Sequence, residues 1–347
     1  MSTTDFDMQM MRRCIKIASF GGRSVKSNPQ VGAVITYQNR IIGEGWHQNY
    51  GGPHAERAAL ANVKKIDRQY LNQSHLYVSL EPCNHYGKTP PCVGAILEVQ
   101  IPNVSIAILD PTPKMSGKSV ETLRSKGVQV NIHAITEEAK RLIAPFYAQH
   151  IKKRPFILLK YATSKDGYMG KINKQVWLSN TISKLSVHLS RSLVDGILIG
   201  TNTVIVDNPQ LTTRLVEGPN PLRIILDQHE RIPKNVRLLS DDHPTLIITS
   251  ARDYVADGNK EVLVVEADNF QLPRILQLLL EKGIYTLMVE GGKNILSSFI
   301  NGNLWDECHL YKTPKLLSSG IKAPQIKGKL FMKTQLANNR LLIINNL

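Results

Sequence analysis

Three residues in the first third of the chain could bind a metal ion. His54 is followed by Cys83 and Cys92, so one imidazole and two thiolates are available. This donor set suits a zinc ion whose fourth position is open to water, as in catalytic rather than closed structural sites. Cys92 follows two prolines at a predicted helix start, where unpaired amides favour a thiolate. These residues predict a catalytic zinc centre.

Glu56 stands two residues after His54, on the first turn of a predicted helix. From there its carboxylate can lie beside the activated water without being a ligand. Zinc lowers the pKa of its water toward ~7, and a carboxylate can pass the released proton to a ring nitrogen and a departing ammonia. Glu56 is therefore predicted to be the catalytic residue of a hydrolytic deaminase.

A second candidate site follows a predicted strand in the second half of the chain. The apolar run at residues 286–289 leads into Glu290, Gly291 and Gly292 and then into a helix. Glycines permit close backbone approach, and a helix start offers amides to phosphate. No Gly-x-Gly-x-x-Gly motif follows any predicted strand, so a Rossmann site is not supported. The Gly-Gly pair alone is equally typical of a plain turn.

Alternating strand-like and helix-like segments must position these residues, and this alternation predicts an α/β protein. A length of 347 residues favours two domains, each able to bury its own core. A helical stretch gives way near residues 149–155 to a charged segment and a new apolar strand. We therefore predict one domain over residues 1–150 and another over residues 151–347.

Composition excludes several classes of protein. With 42% hydrophobic and 20% charged residues, the chain is typical of a globular protein rather than a disordered one. Neither a membrane span nor a signal peptide is predicted, and four cysteines do not form a disulfide framework. The net charge of +15 would suit nucleic acid, a membrane surface or a phosphorylated small molecule, but the basic residues are not clustered.

The first half resembles a known family. His-x-Glu followed by Pro-Cys and a second Cys is similar to the zinc-dependent cytidine deaminase superfamily, although eight residues rather than two separate the cysteines. This longer loop, with N-P-Q-V-G at residues 28–32 and G-W-H at residues 45–47, resembles the deaminase domain of the RibD family of bifunctional riboflavin-biosynthesis enzymes. The resemblance implies a three-layer cytidine-deaminase-like fold. It also implies these substrate-binding residues: Asn28, His47, His85, Lys88 and Thr89.

Most of residues 155–300 resembles the reductase domain of the same family, which has a dihydrofolate-reductase-like fold and uses NADPH. The matching motifs include Asp166-Gly167 and a series of residues from Arg191 to Arg214 that occur in the same order as in the family. The chain differs from the usual family residues at Lys165, Tyr168 and Gly170, and in the first half at Ile143. The resemblance implies that these residues contact NADPH: Ala162, Trp177, Thr203, Asp207, Gly291, Gly292, Lys293, Asn294, Ile295, Leu296, Ser297 and Ser298. It implies that these contact the substrate of the reductase: Gln175, Arg191, Leu211, Arg214 and Glu290.

Together with the zinc donors, the resemblance implies a bifunctional enzyme with zinc and NADPH as cofactors. It would deaminate 2,5-diamino-6-ribosylamino-4(3H)-pyrimidinone 5′-phosphate and then reduce the ribosyl group to ribityl, giving 5-amino-6-(5-phosphoribitylamino)uracil. We expect a cytoplasmic homo-oligomer that binds this phosphorylated pyrimidine and neither nucleic acid nor membrane.

Two alternatives remain at this point. One is a nucleic-acid deaminase with a basic carboxy-terminal recognition domain, although aromatic residues for base stacking make up only 6% of the chain. The other is a non-catalytic scaffold that retains a structural zinc.

Overall fold

The chain folds into two units, Met1–Lys153 and Arg154–Leu347. The structure is a computed structural model that describes residues 3–87, 89–132, 136–254 and 258–346. Within these ranges no helix combines the length and the apolar character that a membrane span requires.

The first unit has six helices and five strands among its described residues, with 3₁₀ segments at Ser19–Val25 and Lys65–Gln73. The helices are α1 (Thr3–Ala18), α2 (Ala55–Ala61), α3 (Cys92–Glu98), α4 (Lys118–Ser125), α5 (Thr136–Leu142) and α6 (Ala144–His150). The strands are β1 (Gly32–Tyr37), β2 (Arg40–Trp46), β3 (His75–Val78), β4 (Asn103–Ile106) and β5 (Gln129–Ile132).

The sheet of the first unit has the order β2-β1-β3-β4-β5, in which β3, β4 and β5 are parallel and the β1 pairings are antiparallel. Side chains alternate along β1, so Ile35 packs with α2, α3 and α4 while Val34 packs with α1 and α5. Helices therefore cover both faces, which makes the three layers that the sequence predicts. The two-residue turn of the β1–β2 hairpin has positive φ at Gln38 and Asn39, 48° and 59°.

The second unit contains five helices and eleven strands among its described residues. The helices are α7 (Thr181–Ser192), α8 (Thr201–Asp207), α9 (Arg237–Ser240), α10 (Leu272–Glu281) and α11 (Lys293–Asn301). The strands are β6 (Phe156–Thr163), β7 (Tyr168–Gly170), β8 (Gly196–Gly200), β9 (Leu222–Leu226), β10 (Thr245–Thr249), β11 (Lys260–Val264), β12 (Thr286–Val289), β13 (Glu307–Lys312), β14 (Ile321–Lys322), β15 (Lys329–Leu336) and β16 (Asn339–Asn345).

Nine of these strands form one sheet in the order β11-β10-β9-β8-β12-β6-β13-β16-β15. It is parallel from β11 to β13 and antiparallel through β16 and β15. Both faces are covered, since Leu287 and Val289 pack with α10 and α11 while Met288 packs with Val187 of α7. Such burial explains why the parallel strands are continuous apolar runs. Residues after Lys315 supply β14, β15 and β16.

An arginine lies almost fully buried beside the parallel edge of this sheet. Arg223 on β9 is 1% exposed, and its guanidinium donates to both carboxylate oxygens of Asp241 at 2.7 and 2.5 Å and to Thr245 Oγ1 at 2.7 Å. It also donates to three backbone carbonyls, those of Gln210, Leu238 and His243. One side chain therefore holds the loop before β9, helix α9 and the loop before β10 together.

Replacing Arg223 with methionine should destabilise the second unit by about 3–5 kcal/mol, because the carboxylate and carbonyls would lose their donor inside the protein. Denaturant unfolding followed by tryptophan fluorescence would measure this, since Trp305 is buried in the same unit. Arg252→Met is the matched control, because Arg252 pairs with Glu266 on the surface. This substitution should change the free energy of unfolding little. Equal effects of the two substitutions would contradict the structural role of Arg223.

Candidate active sites

The three predicted metal ligands come from three different segments of the first unit. His54 is the last extended residue before α2, with φ −71° and ψ 162°. Cys92 is the first residue of α3, and Cys83 lies in the loop between β3 and α3. The Cys83 carbonyl accepts a hydrogen bond from the amide of Val93 at 3.2 Å, which joins that loop to the start of α3.

These segments bring three soft donor atoms together. The ligand atoms of His54, Cys83 and Cys92 all lie within 4.8 Å of one another. His54 Nδ1 is 3.3 Å from Cys83 Sγ and 3.5 Å from Cys92 Sγ. The hydrogen bond from Cys92 lowers the pKa of Cys83, which favours a thiolate there. One imidazole nitrogen and two sulfurs at this separation fit zinc, so these residues would hold it.

Glu56 lies beside this cluster on the first turn of α2 and is only 3% exposed. Burial, reinforced by the negative charge of Cys83, raises the pKa of Glu56 to about 6. A carboxyl group with that pKa can both accept and return a proton near neutral pH. Its position and its proton affinity agree with the predicted role of proton shuttle.

His47 and Asn28, two of the predicted substrate-binding residues, form a connected pair next to the metal ligands. The His47 ring is 5.5 Å from the His54 ring, measured between centroids. His47 Nδ1 is 2.9 Å from the Pro53 carbonyl, so Nδ1 donates and Nε2 accepts from the Asn28 amide at 2.9 Å. Burial lowers the pKa of His47, in keeping with a neutral ring. The histidine thereby fixes the orientation of the Asn28 amide.

The loop between the cysteines carries the other three predicted substrate-binding residues. Thr89 Oγ1 is 3.4 Å from His54 Nε2, on the side of the imidazole away from the sulfurs. His85 is exposed, as is Tyr86 beside it. Lys88 lies outside the described residues.

Sequence reasoning missed Glu81, which comes two residues before Cys83 and is 5% exposed. Its carboxylate accepts hydrogen bonds from the backbone amides of Asp110 at 3.1 Å, Gly117 at 2.9 Å and Ser119 at 3.0 Å. Ser119 Oγ in turn donates to the Pro82 carbonyl at 2.5 Å. Glu81 therefore anchors the loop that carries Cys83 to the start of α4. The only feature of the sequence that could have indicated this role is the glutamate directly before Pro82-Cys83.

The second unit has a cleft of about 960 Å³, a size suited to a cofactor with its substrate. Its walls come from β6, α7, α8 and the segment after β12. The cleft brings together these predicted residues: Ala162, Gln175, Trp177, Arg191, Thr203, Asp207, Leu211, Arg214, Glu290, Gly291, Gly292 and Lys293.

Glycines at the edge of the cleft allow α11 to approach the neighbouring strand end. A Cβ on Gly291 would lie 2.9 Å from Ile295, and one on Gly200 would lie 2.8 Å from the same side chain. The Gly292 amide donates to Thr203 Oγ1 at 3.0 Å. Gly291, Gly292 and Lys293 line the cleft, so α11 begins there, and a helix start is a favourable place for a phosphate group of NADPH.

The remaining predicted cofactor residues, from Asn294 to Ser298, do not line this cleft. Asn294 and Ser298 are exposed, and Ile295 packs against the apolar core. Leu296 is fully buried in that core, so its side chain serves the fold.

Glu290 lies on the cleft floor between two cations. Arg191 donates to it through Nε at 2.8 Å and Nη2 at 3.1 Å, and Lys160 Nζ donates at 3.3 Å. These charges lower the pKa of Glu290 to about 2 despite its burial. Arg191 Nη1 also donates to the Thr212 carbonyl at 3.1 Å. All three nitrogens of Arg191 thus donate within the protein, and the ion pair ties α7 to β12 and β6.

The predicted residues on the opposite wall present an aromatic ring and a carboxylate. Trp177 is 58% exposed, and Lys184 Nζ lies 4.6 Å from its ring centroid. Gln175 donates to the Asp207 backbone carbonyl at 3.2 Å, and burial raises the pKa of the Asp207 carboxyl. An exposed indole at the mouth of a cleft is a suitable stacking surface for a nucleotide ring.

The departures from the usual family residues cluster at one turn beside the cleft. Tyr168 and Gly170 lie on β7, which pairs with β14. The turn before β7 is held by Asp166, which accepts from Ser164 Oγ at 2.6 Å and from the Ser318 amide at 2.7 Å. Lys165 donates its amide to the Lys315 carbonyl at 2.8 Å. Ile143 is buried between α5 and α6.

The folds and the two sites define a class, a zinc deaminase joined to a reductase that binds a nucleotide cofactor. Comparison with known proteins supports this class. Residues 4–108 match the cytidine and deoxycytidylate deaminase zinc-binding region. Residues 155–342 match the RibD C-terminal domain. The chain is 37% identical over 322 residues to the riboflavin biosynthesis protein RibD of Aquifex aeolicus, with 91% of this chain and 89% of that protein covered. The chain belongs to the RibD family.

Two solved structures extend this similarity. A Thermotoga maritima enzyme, described as a diaminohydroxyphosphoribosylaminopyrimidine deaminase and 5-amino-6-(5-phosphoribosylamino)uracil reductase, superposes with a TM-score of 0.88 at 33% identity, covering 99% of both chains. Acinetobacter baumannii RibD gives a TM-score of 0.85 at 30% identity, again covering 99% of both chains.

These comparisons confirm the expected fold class, a deaminase-like domain followed by a reductase domain. The chain is a bifunctional deaminase and reductase of riboflavin biosynthesis, with zinc and NADPH as its cofactors. A nucleic-acid deaminase and a non-catalytic scaffold are not favoured.

Replacing Glu81 with glutamine should weaken zinc binding roughly tenfold or more, because the new amide group would face the backbone donors of α4 and loosen the Cys83 loop. Chelator competition measures the affinity directly. Glu121→Gln on the exposed face of α4 is the matched control and should leave zinc affinity unchanged. Wild-type zinc affinity in the Glu81 variant would show that this anchor does not position Cys83.

Proposed function

We propose that the first unit deaminates 2,5-diamino-6-ribosylamino-4(3H)-pyrimidinone 5′-phosphate and that the second unit reduces the product to 5-amino-6-(5-phosphoribitylamino)uracil. The observation that carries this assignment is the buried Glu56 carboxyl beside the His54, Cys83 and Cys92 donor atoms. The two activities named for the Thermotoga maritima relative supply the order of the steps.

In the deaminase, the chain's own residues bind the ring and move a proton. Asn28, held by His47, presents its amide to the pyrimidine. Glu56 accepts one proton from the attacking water and passes it to the neighbouring ring nitrogen, and then accepts the second proton from the hydroxyl on the ring carbon and passes it to the leaving amino group. Ammonia thereby departs as a carbonyl forms at the ring carbon. Zinc, when bound, supplies Lewis-acid activation of that water. The pKa of Glu56 suits both transfers.

In the reductase, the cleft holds cofactor and substrate side by side. The start of α11 and Trp177 would bind NADPH, and Arg214 would pair with the substrate phosphate. NADPH, when bound, supplies the hydride that reduces C1′ of the opened ribosyl group. Arg191, which the family resemblance assigns to the substrate, holds Glu290 beside the cleft.

We also propose that the protein is a cytoplasmic homo-oligomer that assembles through α7. One face of this helix contributes His188 and Arg191 to the cleft. The opposite face exposes apolar side chains at helical spacing, namely Ile182, Leu185, Leu189 and Leu193. A second copy of the chain would remove this stripe from water.

A coupled assay that follows ammonia release and NADPH oxidation separately tests the proposed function. Glu56→Gln should lower the rate of ammonia release by roughly 10²–10⁴-fold, because the amide cannot shuttle a proton. Zinc content should be unchanged, and so should NADPH oxidation with the deaminated intermediate. Glu290→Gln is the reciprocal control, expected to retain ammonia release and to lose NADPH oxidation. Full deaminase activity in the Glu56 variant would refute the proton shuttle.

Replacing Leu189 with aspartate should dissociate the oligomer, because a charge would enter the apolar stripe. Light scattering after size-exclusion chromatography gives the molar mass of the wild type and the variant. Leu330→Asp, at a similarly exposed position on β15, is the control and should leave the mass unchanged. A monomeric wild type would overturn the proposal of an oligomer.

A further inference from the structure

His188 is a buried residue of the reductase cleft that the sequence analysis did not assign to a site. It is 4% exposed and lies on the cleft face of α7. The backbone amide of Arg214 donates to His188 Nδ1 at 3.0 Å, and the amide of Leu215 donates to the same atom at 3.4 Å. Because Nδ1 is an acceptor, the proton of the neutral ring is on Nε2.

The Nε2 hydrogen of His188 has no acceptor among the described residues. Among the described residues, Thr213 Oγ1 is the one buried side-chain nitrogen or oxygen that has no hydrogen-bond partner. Any other side-chain nitrogen or oxygen without a partner is therefore at least partly accessible. The hydrogen bonds of the His188 ring are those at Nδ1. Nε2 is therefore accessible, and His188 lines the cleft. The ring presents an oriented N–H donor to a bound molecule.

The surroundings of His188 are positively charged. Burial and then the neighbouring Arg191 and Arg214 lower the pKa of His188 to about 4, so the ring is neutral at physiological pH. Arg191 is committed to Glu290 and Thr212. The Arg214 side chain is exposed and forms no hydrogen bond or ion pair within the part of the chain that the structure describes. An accessible arginine next to an oriented N–H donor suits an anionic oxygen.

We propose that His188 is a substrate-binding residue of the reductase, donating a hydrogen bond from Nε2 to a phosphate oxygen of the substrate while Arg214 pairs with the same phosphate. This assignment rests on the proposed function, which makes the substrate a ribose 5-phosphate derivative. The same imidazole anchors the backbone at residues 214 and 215, so it places Arg214 as well as contacting the phosphate. The ring therefore has two tasks, whereas Arg191, which lines the cleft from the same helix, holds Glu290.

The test distinguishes the role of His188 Nδ1 from the role of Nε2. In His188→Asn, the amide oxygen can occupy the place of Nδ1 and keep residues 214 and 215 anchored, but the donor at Nε2 is lost. In His188→Gln, the longer side chain can return an N–H donor to the place of Nε2. Ribose 5-phosphate is the probe for titration calorimetry. The KM and kcat for 5-amino-6-(5-phosphoribosylamino)uracil and the Kd for NADPH are measured alongside.

We expect His188→Asn to weaken ribose 5-phosphate binding and to raise the KM by roughly tenfold or more, as for a lost hydrogen bond to a charged group. The kcat and the Kd for NADPH should change little, and His188→Gln should recover part of the loss. In the wild-type enzyme, ribose 5-phosphate should shift the ¹⁵N resonance of the protonated His188 Nε2, a measurement that does not depend on the folding of a variant.

Wild-type binding of ribose 5-phosphate by His188→Asn would overturn the assignment, as would a loss confined to NADPH or an Nε2 resonance unmoved by the sugar phosphate. A wild-type enzyme that neither binds ribose 5-phosphate nor oxidises NADPH with the pyrimidine substrate would overturn the proposed function itself, and the assignment with it.

Discussion

Each site depends on a buried carboxylate beyond the end of a strand, because a charge removed from water must be compensated by donors inside the protein. Glu81 is compensated by three backbone amides around the start of α4. Glu290 is compensated by Arg191 and Lys160. In the first unit this requirement fixes the loop that carries Cys83. In the second unit the same requirement fixes α7 against the floor of the cleft. The geometry of each site therefore follows from the compensation of one buried charge.

Glu56 shows the opposite use of burial. Burial, reinforced by the negative charge of Cys83, raises its pKa to about 6, whereas the two cations around Glu290 lower the pKa of that carboxyl to about 2. The same side chain can therefore transfer protons in one environment and hold other groups in place in another. His188 extends the contrast, because burial and then neighbouring cations lower its pKa and keep the ring neutral, while its backbone contacts determine which nitrogen carries the hydrogen. Burial and local charge together decide the task of each group.

Much of the fold could be predicted from local patterns. The run at β12 was predicted with the bounds that the structure shows, since a buried parallel strand is a continuous apolar segment. The β1–β2 hairpin is equally local, since two apolar runs flank a polar turn at residues 37–39. In contrast, exposed and partly buried side chains alternate irregularly along β15, and most of them are exposed. Hydrophobic periodicity therefore gave little indication of this strand, whose position depends on its pairing with β16.

The sequence by itself determined the metal donors, the neighbouring glutamate and the α/β class, because these depend on residue type and on spacing along the chain. Only the tertiary structure decided the tasks of Arg191, Glu81 and His188. Arg191 resembles a substrate-binding residue in sequence, and its partner Glu290, which only the structure reveals, lies 99 residues away. Glu81 finds its amide donors 29 to 38 residues further on, and His188 receives its own from residues 214 and 215. Hydrogen bonds between distant segments exist only once the chain has folded, so no local pattern could have specified them.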